Sequence, residues 1–213
     1  MAHITINFRS AVLAMPVMLD VLLPENAGNC KTLYLLHGYG GDRESILLKS
    51  RIAELVNGQQ IAVIMPSGKN KLFINNKHGK AYHTFVTEEL PGQVEKWFSV
   101  SRKASERFLA GVETGAFGAV YAGLHKPEFY HTVFGFNAVL DAQGLGKVLR
   151  ERDVETVFGT QEELEAQTHD LGSRLAGAVQ QKDTGFRLMN GDLDTCLQKA
   201  IDFMESEGSA SWQ

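Results

Sequence analysis

Short apolar runs alternate with helical patterns along almost the whole chain, and that alternation limits the fold more than any other feature. Residues 2–8 (AHITINF) and 17–23 (VMLDVLL, closed by Pro24) read as strands. The runs at 32–36 (TLYLL), 61–65 (IAVIM, closed by Pro66), 107–112 (RFLAGV), 132–136 (TVFGF), 154–158 and 185–189 read the same way. Between them, helical spacing predicts helices over 44–56, 87–99, 115–125, 142–150, 161–179 and 192–206, with a long polar loop at 67–84. Strands separated by helices build a mostly parallel sheet, and right-handed crossovers place helices on both of its faces. The expectation is an α/β fold in one domain over residues 1–213, with a frayed tail from about residue 206.

In such sheets chemistry collects at the carboxyl ends of the strands. The turn after RFLAGV is the most informative of them. Gly111-Val112-Glu113-Thr114-Gly115 leads directly into AFGAVYAGLH. Glycines at the first and fifth positions of a strand-to-helix turn frame a nucleophile elbow. The flanking backbones leave no room for a Cβ, and the middle residue is thrust to the top of the sheet. A hydrolase carries Ser at that position; this chain carries Glu113.

From these residues outward the chain resembles the esterase D family of α/β-hydrolases, which includes S-formylglutathione hydrolases and bacterial tributyrin and acetyl esterases. The similarity runs over residues 7–130, through NFRSAVLAMPVMLDVLLPE, KTLYLLHGYGGD, AYHTFVTEELPGQVEKWF and RFLAGVETGAFGAVYAGLHKPEFY. It thins after residue 134, and the segment at 138–154 is shorter than the family's insertion. The resemblance implies an α/β-hydrolase fold with a minimal cap and no metal or cofactor. It also implies an oxyanion hole made by the backbone N–H groups of Tyr39 and Thr114. The family's acid segment, GT-x-D, aligns with Gly159-Thr160-Gln161-Glu162, making Glu162 the acid. The family's His turn aligns with Gly191-Asp192-Leu193-Asp194, which puts Leu193 at the His position. His37, Gly40, Gly41, Tyr82 and His83 would line the pocket, with His83 the one histidine kept as a replacement base.

A Ser-His-Asp mechanism needs a hydroxyl to attack and an imidazole to carry its proton. Both matched positions are substituted. The leading expectation is therefore a degenerate esterase that binds a small acyl ester, a related small molecule or a protein partner. The alternative is an active carboxylesterase with a displaced or carboxylate-based set, Glu113 paired with Glu162. A third reading is a structural partner that uses the fold's surface. Glu113 would either point into solvent or fill the oxyanion hole, and the Thr114 hydroxyl is expected to point away from the pocket. Leu193, Cys196, Leu197, Ala200, Ile201 and Met204 follow the spacing of one helix face, so Leu193 should extend a buried stripe. Lys69, Lys71, Lys77 and Lys80 read as a solvated loop ahead of an anion-attracting rim, with Phe73 as a lid or an anchor.

Charge and cysteine content set the remaining bounds. Lys plus Arg total 21 and Asp plus Glu total 25, a net −4, which argues against a protein devoted to nucleic-acid phosphates. No apolar run reaches the ~18 residues of a membrane span, and the first ten residues do not read as a signal peptide. Cys30 and Cys196 are too few for a disulfide scaffold, so the expected location is the cytoplasm. The family resemblance allows a homodimer.

Overall fold

The computed structural model describes residues 1–69, 71–180 and 185–209. Seven strands form one sheet: β1 (Ala2–Ser10), β2 (Met15–Leu23), β3 (Lys31–Leu36), β4 (Ile61–Pro66), β5 (Arg107–Val112), β6 (Thr132–Phe136) and β7 (Phe186–Met189). Their order is β1-β2-β4-β3-β5-β6-β7. β1 pairs antiparallel with β2 and β2 with β4, while β4, β3, β5, β6 and β7 are parallel. This is the mostly parallel sheet that the sequence predicts.

Period-two alternation divides the strand side chains between two cores. Tyr34, Leu36, Ile64 and Leu109 face one side. There they meet the π-turn Phe85–Glu89, α4 (Leu90–Trp97) and α5 (Thr114–His125). Leu33, Leu35, Val63, Phe108 and Ala110 face the other. They pack against α1 (Arg43–Lys49), α2 (Ile52–Leu55) and α9 (Leu193–Ser209). On α9 the stripe Cys196, Leu197, Ala200, Ile201 and Met204 is buried, with Leu193 packed at its end, as the spacing predicts. A third cluster joins Phe117 and Val120 of α5 to α6 (Ala142–Val148), α7 (Glu151–Val157) and α8 (Gln161–Gln180).

Several elements differ from the sequence reading. Residues 154–158 are not a strand: Val154 and Val157 belong to α7, and Phe158 follows it. A five-residue apolar run cannot by itself distinguish the two, and here Val154, Val157 and Phe158 have the i, i+3, i+4 spacing that faces a helix toward α5 and α8. The 44–56 helix is two helices, broken where the Ser50 hydroxyl bonds back to the Ile46 carbonyl. The helix expected from residue 87 begins earlier, at α3 (Tyr82–Thr84), inside the expected loop. Pro91 has no N–H to donate, and just before it the Leu90 N–H bonds five residues back to Phe85, a wide turn that lets the helix carry the proline. α9 continues through residues 206–209 where fraying was expected; the rest of that tail, 210–213, lies outside the described residues. No helix among the described residues is long and apolar enough to cross a membrane.

Candidate active site

The site is built where β5 enters α5. Glu113 stands between them at φ 53° and ψ −115°, a left-handed conformation that costs a non-glycine residue free energy and is held only when its surroundings fix it. They do. The Glu113 N–H donates to the Phe136 carbonyl at 2.8 Å, and its own carbonyl accepts from Ala116 and Val139, both at 3.2 Å. The two flanking glycines are required by contact. A Cβ on Gly111 would lie 2.2 Å from the Gly115 carbonyl oxygen, and one on Gly115 would lie 2.5 Å from the carbonyl oxygens of both Leu36 and His37. The elbow geometry is intact although its side chain is a carboxylate.

Glu113 is solvent-exposed. Its Oε2 lies over Gly38, 2.7 Å from where a Cβ on that glycine would be. Its carboxylate does not take the Tyr39 N–H. The Tyr39 N–H, expected to be one of the two oxyanion donors, donates at 2.7 Å to the Thr114 hydroxyl. The Thr114 hydroxyl is thus the acceptor of the Tyr39 N–H, and its side chain is buried and does not line the cavity beside the elbow.

His37 is locked. Its Nε2 accepts from the Gly68 N–H at 3.0 Å, so the proton is on Nδ1, which donates to the Gly38 carbonyl at 2.8 Å. Burial pushes its pKa down, and both nitrogens are committed to the loop. Gly40 (φ +75°) and Gly41 complete that loop, with the Gly41 N–H bonded to the Gly38 carbonyl at 3.1 Å.

A cavity of about 90 Å³ opens beside the elbow. Glu113, Leu193, Ser45 and Lys49 line it together with the His37–Gly41 turn. Glu113 and Leu193 thus line one cavity. Glu162 does not join them. The segment before it is α7 rather than a strand, and Glu162 is an exposed residue in the first turn of α8. Asp192 and Asp194, which follow β7, both have structural partners. Asp192 caps α9 through the Thr195 N–H at 3.0 Å, and Asp194 accepts the Arg51 N–H at 2.7 Å.

Tyr82 and His83 also lie elsewhere. Tyr82 is 2% exposed in the core. His83 packs edge-on to Tyr121 and His125, at 5.2 and 5.7 Å between ring centroids. Those residues are two to three turns along α5, about 12–18 Å of helix from the elbow, so His83 is no replacement base. Burial first, then the nearby His125 and Lys126, lowers its pKa to about 4. The sign follows directly. The unfolded chain binds a proton at His83 near pH 6.5 and the folded chain refuses it until about 4, so stability held at neutral pH is lost as pH falls through that window. Allowing for partial exposure, the expected loss is about 1–2 kcal/mol. Urea midpoints at pH 7 and 4.5 check it: the drop should be smaller in His83→Phe than in the wild type.

The sequence gives no sign of the polar cluster beside the Tyr39 ring. The Tyr39 hydroxyl donates to Asp153 Oδ2 at 2.6 Å, and Arg150 Nε donates to that hydroxyl at 2.9 Å and to Asp153 at 3.1 Å. Lys71 Nζ reaches Asp153 Oδ1 at 3.3 Å. Burial raises the Asp153 pKa, but Tyr39 and Lys71 outweigh it and hold the carboxyl below its usual range. The basic loop is therefore pinned. Lys71 pairs with Asp153, Lys77 with Glu163, and Phe73 is buried against the His37 ring at 5.1 Å as an anchor rather than a lid. Among the described residues, no group of three or more His, Cys, Asp or Glu could hold a metal.

An open, mostly parallel sheet with a strained elbow after its fifth strand and a glycine-rich turn after its third defines an α/β-hydrolase. Within that class the chain belongs to the esterase family: the family model described as "Putative esterase" matches residues 10–208. An acetyl esterase of Caldicellulosiruptor saccharolyticus is 30% identical over 152 residues, which cover 66% of this chain and 57% of that protein. The match thus spans little more than half of the relative's length. Among solved structures, the fluorophosphonate-binding serine hydrolase F of Staphylococcus aureus superposes with a TM-score of 0.79 at 26% identity, covering 100% of this chain and 88% of that one. An S-formylglutathione hydrolase of Staphylococcus aureus superposes with a TM-score of 0.77 at 25% identity and the same coverage.

Proposed function

We propose that this chain is a pseudo-esterase, which holds a short acyl ester or a related small molecule at the elbow and turns it over slowly or not at all. The observation that carries this reading is the make-up of the elbow cavity. The elbow residue is a carboxylate, the one imidazole in the lining is committed through both nitrogens, and the Tyr39 oxyanion donor is bonded to Thr114. Acyl transfer by the family mechanism needs a hydroxyl nucleophile, a mobile proton carrier and free donors for the oxyanion. At ~30 Å³ per water, the cavity has room for about three waters or an acetyl-sized group. The name of the curated relative, an acetyl esterase, agrees with that size. Carboxylate catalysis by Glu113 with Glu162 finds no support, because Glu162 does not line the cavity. Both thiols, Cys30 and Cys196, are free and buried, which suits a reducing compartment such as the cytoplasm.

Hydrolysis of p-nitrophenyl acetate and butyrate tests the reading, with Glu113→Ala measured beside the wild type. The expected wild-type rate is that of a nonspecific protein surface, unchanged in the variant. Turnover on the order of 1 s⁻¹ or more, abolished by Glu113→Ala, would make the protein an enzyme with a carboxylate nucleophile.

A further inference from the structure

The elbow cavity carries two opposite charges that do not meet. Glu113 and Lys49 both line it, and among the described residues neither side chain has an ion-pair or hydrogen-bond partner. Lys49 closes the last turn of α1, and Ser45 stands one turn before it on the same face. The Ser45 oxygen accepts the Asp42 N–H at 2.7 Å, and no described residue takes its proton. Ile46, Val112 and Leu193 supply the apolar part of the lining. The His37 ring adds no charge, because its Nε2 accepts from Gly68 and its Nδ1 donates to Gly38.

The backbone holds one of these charges in place against strain. Glu113 keeps φ at 53°, a region where glycine is unstrained and glutamate is not. Strain of this kind persists at sites that use the side chain it aims. Here it aims an unpaired carboxylate at a cavity, and a second element brings an unpaired ammonium and a hydroxyl to the same cavity. We propose that the elbow cavity takes a small zwitterion, an aminocarboxylate of the size of glycine or β-alanine, with its ammonium on Glu113 and its carboxylate on Lys49 and the Ser45 hydroxyl.

The inference rests on the reading of this cavity as a binding site and names its ligand. Size and charge both select the zwitterion. The cavity of about 90 Å³ holds an acetyl-sized body, and glycine is acetate carrying one ammonium. Glu113 and Lys49 are exposed, so the charged ends of the ligand reach outward while its carbon lies against the apolar lining. A simple amine would pair with Glu113 and leave Lys49 without an acceptor; a simple carboxylate would do the reverse. A neutral ester would displace water from both charges and pair with neither, which is unfavourable. The zwitterion gives each charge an ionised partner, and such hydrogen bonds are about twice as strong as neutral ones.

Amide NMR titration of the full chain with glycine, L-alanine and β-alanine tests the proposal, in low-salt buffer where exposed charges are least screened. At least one of the three should shift the resonances of the Gly38–Gly41 turn and Glu113 and saturate with a Kd on the order of 1 mM. Acetate and methylamine, which each lack one charge, should bind at least about tenfold more weakly. Glu113→Gln and Lys49→Gln, both at exposed positions, should each weaken binding at least about tenfold with an unchanged circular dichroism spectrum. No saturable shift up to about 50 mM overturns the proposal. So does acetate or methylamine binding as tightly as the zwitterions, or binding that either variant leaves intact. Saturable binding of methyl acetate without that of the amino acids also overturns it, yet leaves the cavity standing as an ester-binding site. The pseudo-esterase reading fails on a different assay, the p-nitrophenyl acetate turnover described above.

Discussion

Gly115→Ala should cost about 3–5 kcal/mol, enough to leave little folded protein at 37 °C. The added methyl carbon would lie 2.5 Å from the carbonyl oxygens of Leu36 and His37 and 2.9 Å from the His37 carbonyl carbon. None of these is the end of a movable side chain. Leu36 pairs with Gly111 in the centre of the sheet, and His37 starts the turn whose ring bonds hold Gly68 and Gly38. Relief must come from separating β3 from the head of α5, which opens the core on that face. Gly92→Ala is the control. Nothing lies within 4 Å of a Cβ there, the residue is inside α4, and alanine should stabilise the helix by about 0.5–1 kcal/mol. Urea melts followed by circular dichroism give both numbers. A Gly115→Ala protein as stable as the wild type would mean that the elbow and the glycine-rich turn are not in contact as described.

That contrast also shows what kind of information the sequence carries. Gly111 and Gly115 are legible because their spacing around one residue has a steric cause, and the structure supplies the backbone atoms responsible. The alternation of strand and helix is legible for the same reason: it reflects burial on two faces of a sheet. The failures share a different cause. Val154 to Phe158 fits strand and helix equally well as a string, and its environment decides: the α7 helix puts Val154 and Val157 into the core while Asp153 reaches Tyr39. The alignment at Gly159-Thr160 names Glu162, but the segment before it is α7 and Glu162 is an exposed residue in the first turn of α8. His83 packs edge-on against Tyr121 in the second half of α5, a residue distant from it in the chain. The Thr114 hydroxyl takes the Tyr39 N–H, a donor 75 residues distant in the chain. Contacts of that range leave no periodic trace.

Glu113→Ser alone should not restore an esterase. A serine at the elbow would regain a nucleophile, but its Oγ proton has no acceptor: His37 Nε2 is occupied by the Gly68 N–H, and Leu193 offers only carbon. General-base assistance is worth about 10²–10⁴-fold, and one oxyanion donor about 10²–10³-fold. The base is missing because Leu193 and the committed His37 supply none, and the donor is missing while Thr114 holds the Tyr39 N–H. The combined variant Glu113→Ser/Thr114→Ala/Leu193→His addresses all three deficits in one cavity. Serine attacks the ester carbonyl, the imidazole takes the serine proton and returns it to the leaving alcohol, and the freed Tyr39 N–H can meet the oxyanion. Its rate on p-nitrophenyl acetate should exceed that of the wild type by about 10²–10⁴-fold, and a fluorophosphonate probe should label it where the wild type stays unlabelled. Adding Thr114→Ala to the Ser/His pair should account for part of the gain, because a donor bonded internally must first be released. If the combined variant folds and remains silent, position 193 does not present a base to position 113, and the shared cavity lacks the catalytic geometry inferred for it. If instead Glu113→Ser by itself is fast, a proton acceptor outside the described cavity is at work, and the reading of the wild type as catalytically disarmed fails with it.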